Sequence, residues 1–168
     1  MWDELIHLWS SIRDPEYLHL LLESLPLYGL GVGLVFLSFA MLAGERKTRV
    51  LAILVITLSC ASVWPYQILR EEASPRILAT RDPTLGPLIQ DQTDRRKRYN
   101  WLYYTLAVAG AVTLVLQLAG KGKWLVGVMV MGTAALFWFS IWMHKKECEV
   151  YHRNIIKYRP PRLGGSDQ

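Results

Sequence analysis

Residues 24–44 read SLPLYGLGVGLVFLSFAMLAG, 21 positions without one charged side chain. At 1.5 Å rise per residue such a stretch makes a helix of about 30 Å, the thickness of a bilayer's hydrocarbon core. Three further windows share the property: Val50 to Leu69 (20 residues), Tyr99 to Gly120 (22) and Trp124 to Met143 (20). The bulk values conceal this. A chain of 168 residues that is 52% hydrophobic and 20% charged, with a net charge of +5, would suit one ordinary soluble domain. The segregation of charge excludes a soluble fold, a disulfide scaffold and a disordered chain, and reads as an all-α integral membrane protein, a bundle of four transmembrane helices. Two cysteines, Cys60 inside a span and Cys148 outside one, make no disulfide framework. The first window has neither a charged n-region nor an A-x-A-like cleavage site, so no cleaved signal peptide is expected.

Working outward, residues 2–12 place Leu5, Leu8, Trp9 and Ile12 at helical spacing. The segment is too short to span and is expected as an amphipathic interfacial helix. Asp14-Pro15-Glu16 combines an N-cap, a first-turn proline and a first-turn acid, which starts the first span near residue 15. The expected spans are about 16–43, 50–70, 99–119 and 124–146, within a single membrane domain over 1–159 and a flexible tail over 160–168. Gly44 to Arg49 and Lys121 to Lys123 are short connections on one face. The segment 71–98, with Pro75, Pro83 and Pro87, is expected as a long loop on the other face, together with both termini. Gly29-x-Gly31-x-Gly33 and Ala107-x-x-x-Ala111 are expected to let helices approach closely. The short connections carry five Lys+Arg and the terminal face carries the other 14, so by the positive-inside rule the termini are cytoplasmic. Span one alone argues the reverse, since Arg46, Lys47 and Arg49 follow it and only Arg13 precedes it. A bacterial inner membrane is the expected location.

All four histidines, all eight tyrosines and six of the seven tryptophans fall toward the terminal face. Aromatic belts normally form at both interfaces, so one end of the bundle is elaborated. Potential ligands come to it from each helix: Glu16, His19 and Glu23 from span one, Glu71 and Glu72 from the end of span two, Asp91 and Asp94 before span three, and His144, Cys148, Glu149 and His152 after span four. Glu16-x-x-His19 and Glu149-x-x-His152 have the i, i+3 spacing with which four-helix bundles hold dinuclear iron, the other helices adding one carboxylate each. A competing assignment is haem b between His19 and His144 or His152, with Gly29, Gly31 and Gly33 making room for the porphyrin. A quinone pocket is a third. The simplest reading of each residue is plainer: an interfacial His is more often hydrogen-bonded than metal-bound, and Arg95-Arg96-Lys97-Arg98 is an anchor to anionic lipid. Nucleic acid is not an expected partner, because the basic residues flank spans instead of interleaving with aromatics.

His19-Leu20, Leu25-Pro26, Gly29, Trp64-Pro65, Glu72-Ala73 and His152 together resemble the layout of a family of small four-span bacterial membrane proteins. That family opens with an H-L-x5-L-P-x2-G-like stretch and ends in a histidine after span four. The resemblance implies the four-helix architecture and points to His19, Glu72 and His152, without naming a reaction. The chain departs from the layout at Glu147-Cys148, where a Gly-Gly pair is typical, and at Asp94-Arg95, where a histidine–acidic pair is typical. Two functions follow as expectations. One is a metal- or haem-binding redox or electron-transfer module, with a redox partner. The other is a cofactor-free accessory or assembly subunit of a larger membrane complex.

Overall fold

The computed structural model describes residues 22–80 and 86–151, and their side chains except at 76–78, 80 and 149–151. Among the described residues five helices follow one another: α1 (Leu25–Leu42), α2 (Arg46–Ala61), α3 (Val63–Thr80), α4 (Gly86–Leu118) and α5 (Lys123–Tyr151). Among the described residues no strand occurs. Four helical stretches are long and apolar enough to cross a membrane: Leu25–Leu42, Arg46–Pro75, Gly86–Leu118 and Lys123–Cys148. Only 17 to 39% of each apolar window is buried, so most of the apolar surface faces outward. Phe39, Leu42, Met131 and Trp138 are each more than 70% exposed, which a water-soluble monomer rarely tolerates over so large a patch.

The helices form a ring in which α1 packs on α2 and α5, and α4 packs on the same two. Leu30, Leu37, Ile53, Ile56, Leu106, Val126, Met129 and Leu136 fill the centre. Both short connections end their helices by the same device. Gly44 and Gly120 take positive φ (71° and 74°), and the next amide reaches back to the carbonyl five residues earlier, Glu45 to Ala40 (3.1 Å) and Lys121 to Leu116 (2.8 Å). Arg46 then ties the two connections together, donating to the carbonyls of Gln117 (2.9 Å) and Leu118 (2.7 Å) at the end of α4.

The glycines of α1 serve close packing. A Cβ on Gly29 would fall 1.8 Å from Ser59 Oγ, one on Gly33 would fall 2.4 Å from Ile56 Cγ1, and one on Gly31 would fall 2.9 Å from Phe137 Cε2. The room they were expected to leave for a porphyrin is therefore filled by α2 and by Phe137 of α5. In α4 the close approach is made by Gly110, where a Cβ would meet Thr57 Oγ1 at 2.3 Å, while Ala111 of the expected small-residue stripe is exposed.

The structure differs from expectation inside the second window and over 71–98, and adds a bend to the first helical stretch. The chain bends at Ser24 and α1 proper begins at Leu25, because Pro26 has no N–H to donate and its ring conflicts with a carbonyl four residues back; the expected start near residue 15 and the interfacial helix over 2–12 lie outside the described residues. Pro65 bends span two in the same way, dividing it at Ser62 into α2 and α3 while the bond from Tyr66 N to Ser62 O (3.1 Å) carries the helix across. Most of the expected loop over 71–98 is helix. Pro87 occupies the second position of α4, where no donor is needed; Pro75 lies inside α3, which continues past it without a bond from that position to the carbonyl of Glu71, and Pro83 lies outside the described residues. Polar side chains support the helices by i, i+4 pairs, Gln67 to Glu71 (3.3 Å) and Arg95 to Asp91 (2.7 Å).

Candidate functional site

A 3, 4 alternation runs along each helix facing the centre. On α5 it passes through Val126, Met129, Thr133, Leu136, Ser140, Met143 and Glu147, all buried. On α1 it passes through Glu23, Pro26, Leu30, Gly33, Leu37 and Ala40, on α3 through Val63, Tyr66, Arg70 and Ala73, and on α4 through Ile89, Gln92 and Arg96 and again through Tyr103, Leu106, Gly110, Thr113 and Gln117. Where the apolar windows stop, the stripe continues with charges. Each of the four long apolar stretches, or the residues just ahead of it, thus gives one charged residue to the same layer: Glu23, Arg70, Arg96 and Glu147.

These four charges pair across the core. Arg96 Nη2 donates to Glu147 Oε2 at 2.8 Å, and Arg96 Nε lies 2.6 Å from Oε1 as an ion-pair contact. Its Nη2 also lies 3.9 Å from Glu23 Oε1, and Arg70 Nη1 lies 3.9 Å from Glu147 Oε1. The side chains of Glu147 and Arg70 are 3% and 8% exposed, those of Arg96 and Glu23 19% and 21%. Tyr66 sits between the arginines: Arg70 Nη1 donates to its hydroxyl, and the Arg96 guanidinium lies 4.6 Å from its ring centroid, a cation–π distance. The two positive and two negative charges sum to zero, as a buried charge layer requires if desolvation is to be offset. On one side of the layer Gln92 donates to the carbonyl of Lys146 (2.8 Å). On the other, Asn100 donates to Gln67 and the hydroxyls of Tyr103 and Ser140 meet at 2.7 Å. Between these groups lies a cavity of about 30 Å³, lined in part by Glu23, Tyr66, Arg96, Tyr103, Ser140 and His144. It has room for about one or two waters, with polar partners to hold them.

The expected ligands are distributed unevenly around this layer. Glu16, His19 and His152 lie outside the described residues, as does the side chain of Glu149. Glu23 belongs to the layer, engaged by Arg96. His144 and Cys148 stack one turn apart on α5, Sγ to Nε2 3.6 Å, on its more accessible side. Glu72 and Asp94 are exposed and take no part in the layer. The reason is angular: each stands two residues from the arginine of its own helix, about 200° around the axis. Among the described residues no three His, Cys, Asp or Glu side chains converge as a metal would require.

Reading residue types by their ligand chemistry missed Glu147, Arg70 and Arg96, because arginine is no metal ligand and Glu147 belongs to no Glu-x-x-His pair. The signal that finds them is the 3, 4 stripe extended past the last apolar residue. Helix α5 does run through Tyr151, the extension on which any role for Cys148 depends. No family model, curated protein or solved structure matches the chain.

Proposed function

We propose that the protein is an integral membrane protein of four spans, with cytoplasmic termini, that serves as an accessory or assembly subunit of a larger membrane complex. The observation that carries this reading is the charge layer. Where a cofactor module would turn carboxylates toward an ion, Glu23 and Glu147 face arginines, whose positive charge opposes a cation at the same place. The layer instead stiffens the end of the bundle and holds α3 and α4 upright beyond the apolar windows, where Glu72, Asp94 and Arg98 are exposed for docking. Bilayer insertion is supported by the outward-facing apolar surface, and the termini by the 14 basic residues outside the two short connections.

The test is purification at native expression level in mild detergent. A stoichiometric assembly larger than the chain itself, lost on Glu72→Lys, Asp94→Lys and Arg98→Glu without loss of thermal stability, is the expected result. Migration as a monomer or a simple homo-oligomer overturns the proposal.

One contact favours a second reading, a metal or haem redox module: His144 and Cys148 lie close together, and His144 shares its cavity with Glu23. His19 stands four residues before Glu23 in sequence. A Soret band, or stoichiometric iron lowered severalfold by His19→Ala and by His152→Ala but not by His7→Ala, would establish it. Neither signal in protein expressed with metal supplied would reject it.

A further inference from the structure

Helices α3 and α4 are antiparallel but touch sparsely, and a groove runs between them on the outer surface. Two cavities meet in it, of about 410 and 340 Å³, joined where Glu71 and Lys97 line both. Its floor is the hydrogen bond between Asn100 and Gln67. At the end nearer the bundle centre its walls are Trp64, Ile68, Trp101 and Tyr104, with both tryptophans more than half exposed. Beyond the middle the walls turn polar, with Ser74, Gln90, Thr93 and Asp94. At the junction Lys97 Nζ and Glu71 Oε1 are 2.8 Å apart, about half exposed, so each can exchange the other for a ligand group.

We propose that this groove binds the headgroup and upper acyl chain of a zwitterionic phospholipid bearing a primary amine. The proposal rests on the reading of the chain as bilayer-inserted. The gradient is what such a lipid needs: aromatic, apolar walls at the depth of the acyl chain, then a cation for the phosphate, then carboxylates for the ammonium. Lys97 takes the phosphate, Glu71 and Asp94 take the ammonium, and the faces of Trp64 and Trp101 cover the glycerol and first methylenes. Charge decides between lipid classes. Arg70 also lines the polar half but is engaged by Tyr66 and Glu147; of the remaining charges, a purely anionic headgroup would satisfy Lys97 but meet Glu71 and Asp94 with like charge, whereas the amine-bearing headgroup matches both signs. Exposed tryptophans at the end of an apolar window also stand where interfacial aromatics meet headgroups.

The experiment uses the full chain reconstituted in nanodiscs of equal parts phosphatidylethanolamine and phosphatidylglycerol, released for native mass spectrometry. Retained phosphatidylethanolamine at severalfold excess over phosphatidylglycerol is expected. Glu71→Gln should bring the ratio to near parity, and Trp101→Ala should lower total retention severalfold. Trp138→Ala, exposed on α5 away from the groove, should change neither. Equal retention of the two lipids by the unaltered protein overturns the proposal while leaving bilayer insertion intact. So does an unchanged ratio in Glu71→Gln that retains its thermal midpoint. Failure of the unaltered chain to enter nanodiscs or to resist alkaline extraction from membranes overturns the insertion reading and this proposal with it.

Discussion

The two ends of the bundle use arginine in opposite ways. At the end with the short connections, Arg46 and Arg49 donate to backbone carbonyls, Arg46 across to α4 and Arg49 back to Glu45 (3.3 Å) and Gly44 (3.2 Å). There the cation completes a helix terminus that already ends in a left-handed glycine, and favours the negative pole of the helix dipole. At the other end Arg70 and Arg96 turn inward, to carboxylates from other helices. The first arrangement closes a connection; the second builds a core layer from four separate spans. A cation at a helix end has orphan carbonyls for partners whatever the rest of the chain does, whereas a cation in a core position has only what the facing helices supply.

The largest effect should come from breaking the inward end. Glu147→Ala leaves Arg96 and Arg70 without their shared carboxylate, and losing one partner of a buried ion pair costs about 3–5 kcal/mol. Reversible unfolding in mixed micelles measures it. Glu147→Leu combined with Arg96→Met should recover most of the loss; a double variant as unstable as Glu147→Ala would show that the layer is not acting as a pair. Next in size is Gly29→Ala. Its methyl would lie within 2.5 Å of Ser59 Cβ as well as on Oγ, so α1 and α2 must separate. A loss of about 1–3 kcal/mol is expected for such overpacking, relieved in part by Ser59→Gly.

The outward-facing end should be milder. Arg46→Ala removes two charge-assisted bonds to the Gln117 and Leu118 carbonyls, and such bonds contribute about 1.5–3 kcal/mol before water replaces the lost partner. Because that end is exposed, the observed loss should fall below that of Glu147→Ala, and the same unfolding assay ranks the two. The reverse order would overturn the contrast between the ends. Smallest of all is Asp91→Ala, which removes an exposed i, i+4 pair with Arg95 worth about 0.3–0.5 kcal/mol and screened by salt. A loss above 1 kcal/mol, or one indifferent to salt, would place Asp91 in a role the structure does not give it.

Several features were legible without coordinates. The four uncharged windows mark the four apolar helical stretches, and Gly29 and Gly33 mark a close approach. The segment 71–98 was not legible as helix because its cues, polar i, i+4 pairs and a first-turn proline, are weak beside three prolines and a missing apolar face. The candidate site was legible only in location. Glu23 lies in the charge layer at that end, whereas Glu72 and Asp94 belong to other faces of their helices.

By itself, the sequence determined what depends on a few neighbouring residues: helical stretches from runs of apolar side chains, and close approach from the glycines of the first. The tertiary structure alone decided which charges meet. Arg70, Arg96 and Glu147 look like members of ordinary charged runs, and Glu23 like an interfacial acid. Their pairing depends on the rotational phase of four helices, set by how Gly29, Gly33 and Gly110 seat α1 and α4 against α2. One residue of shift on any helix turns its charge about 100° out of the core.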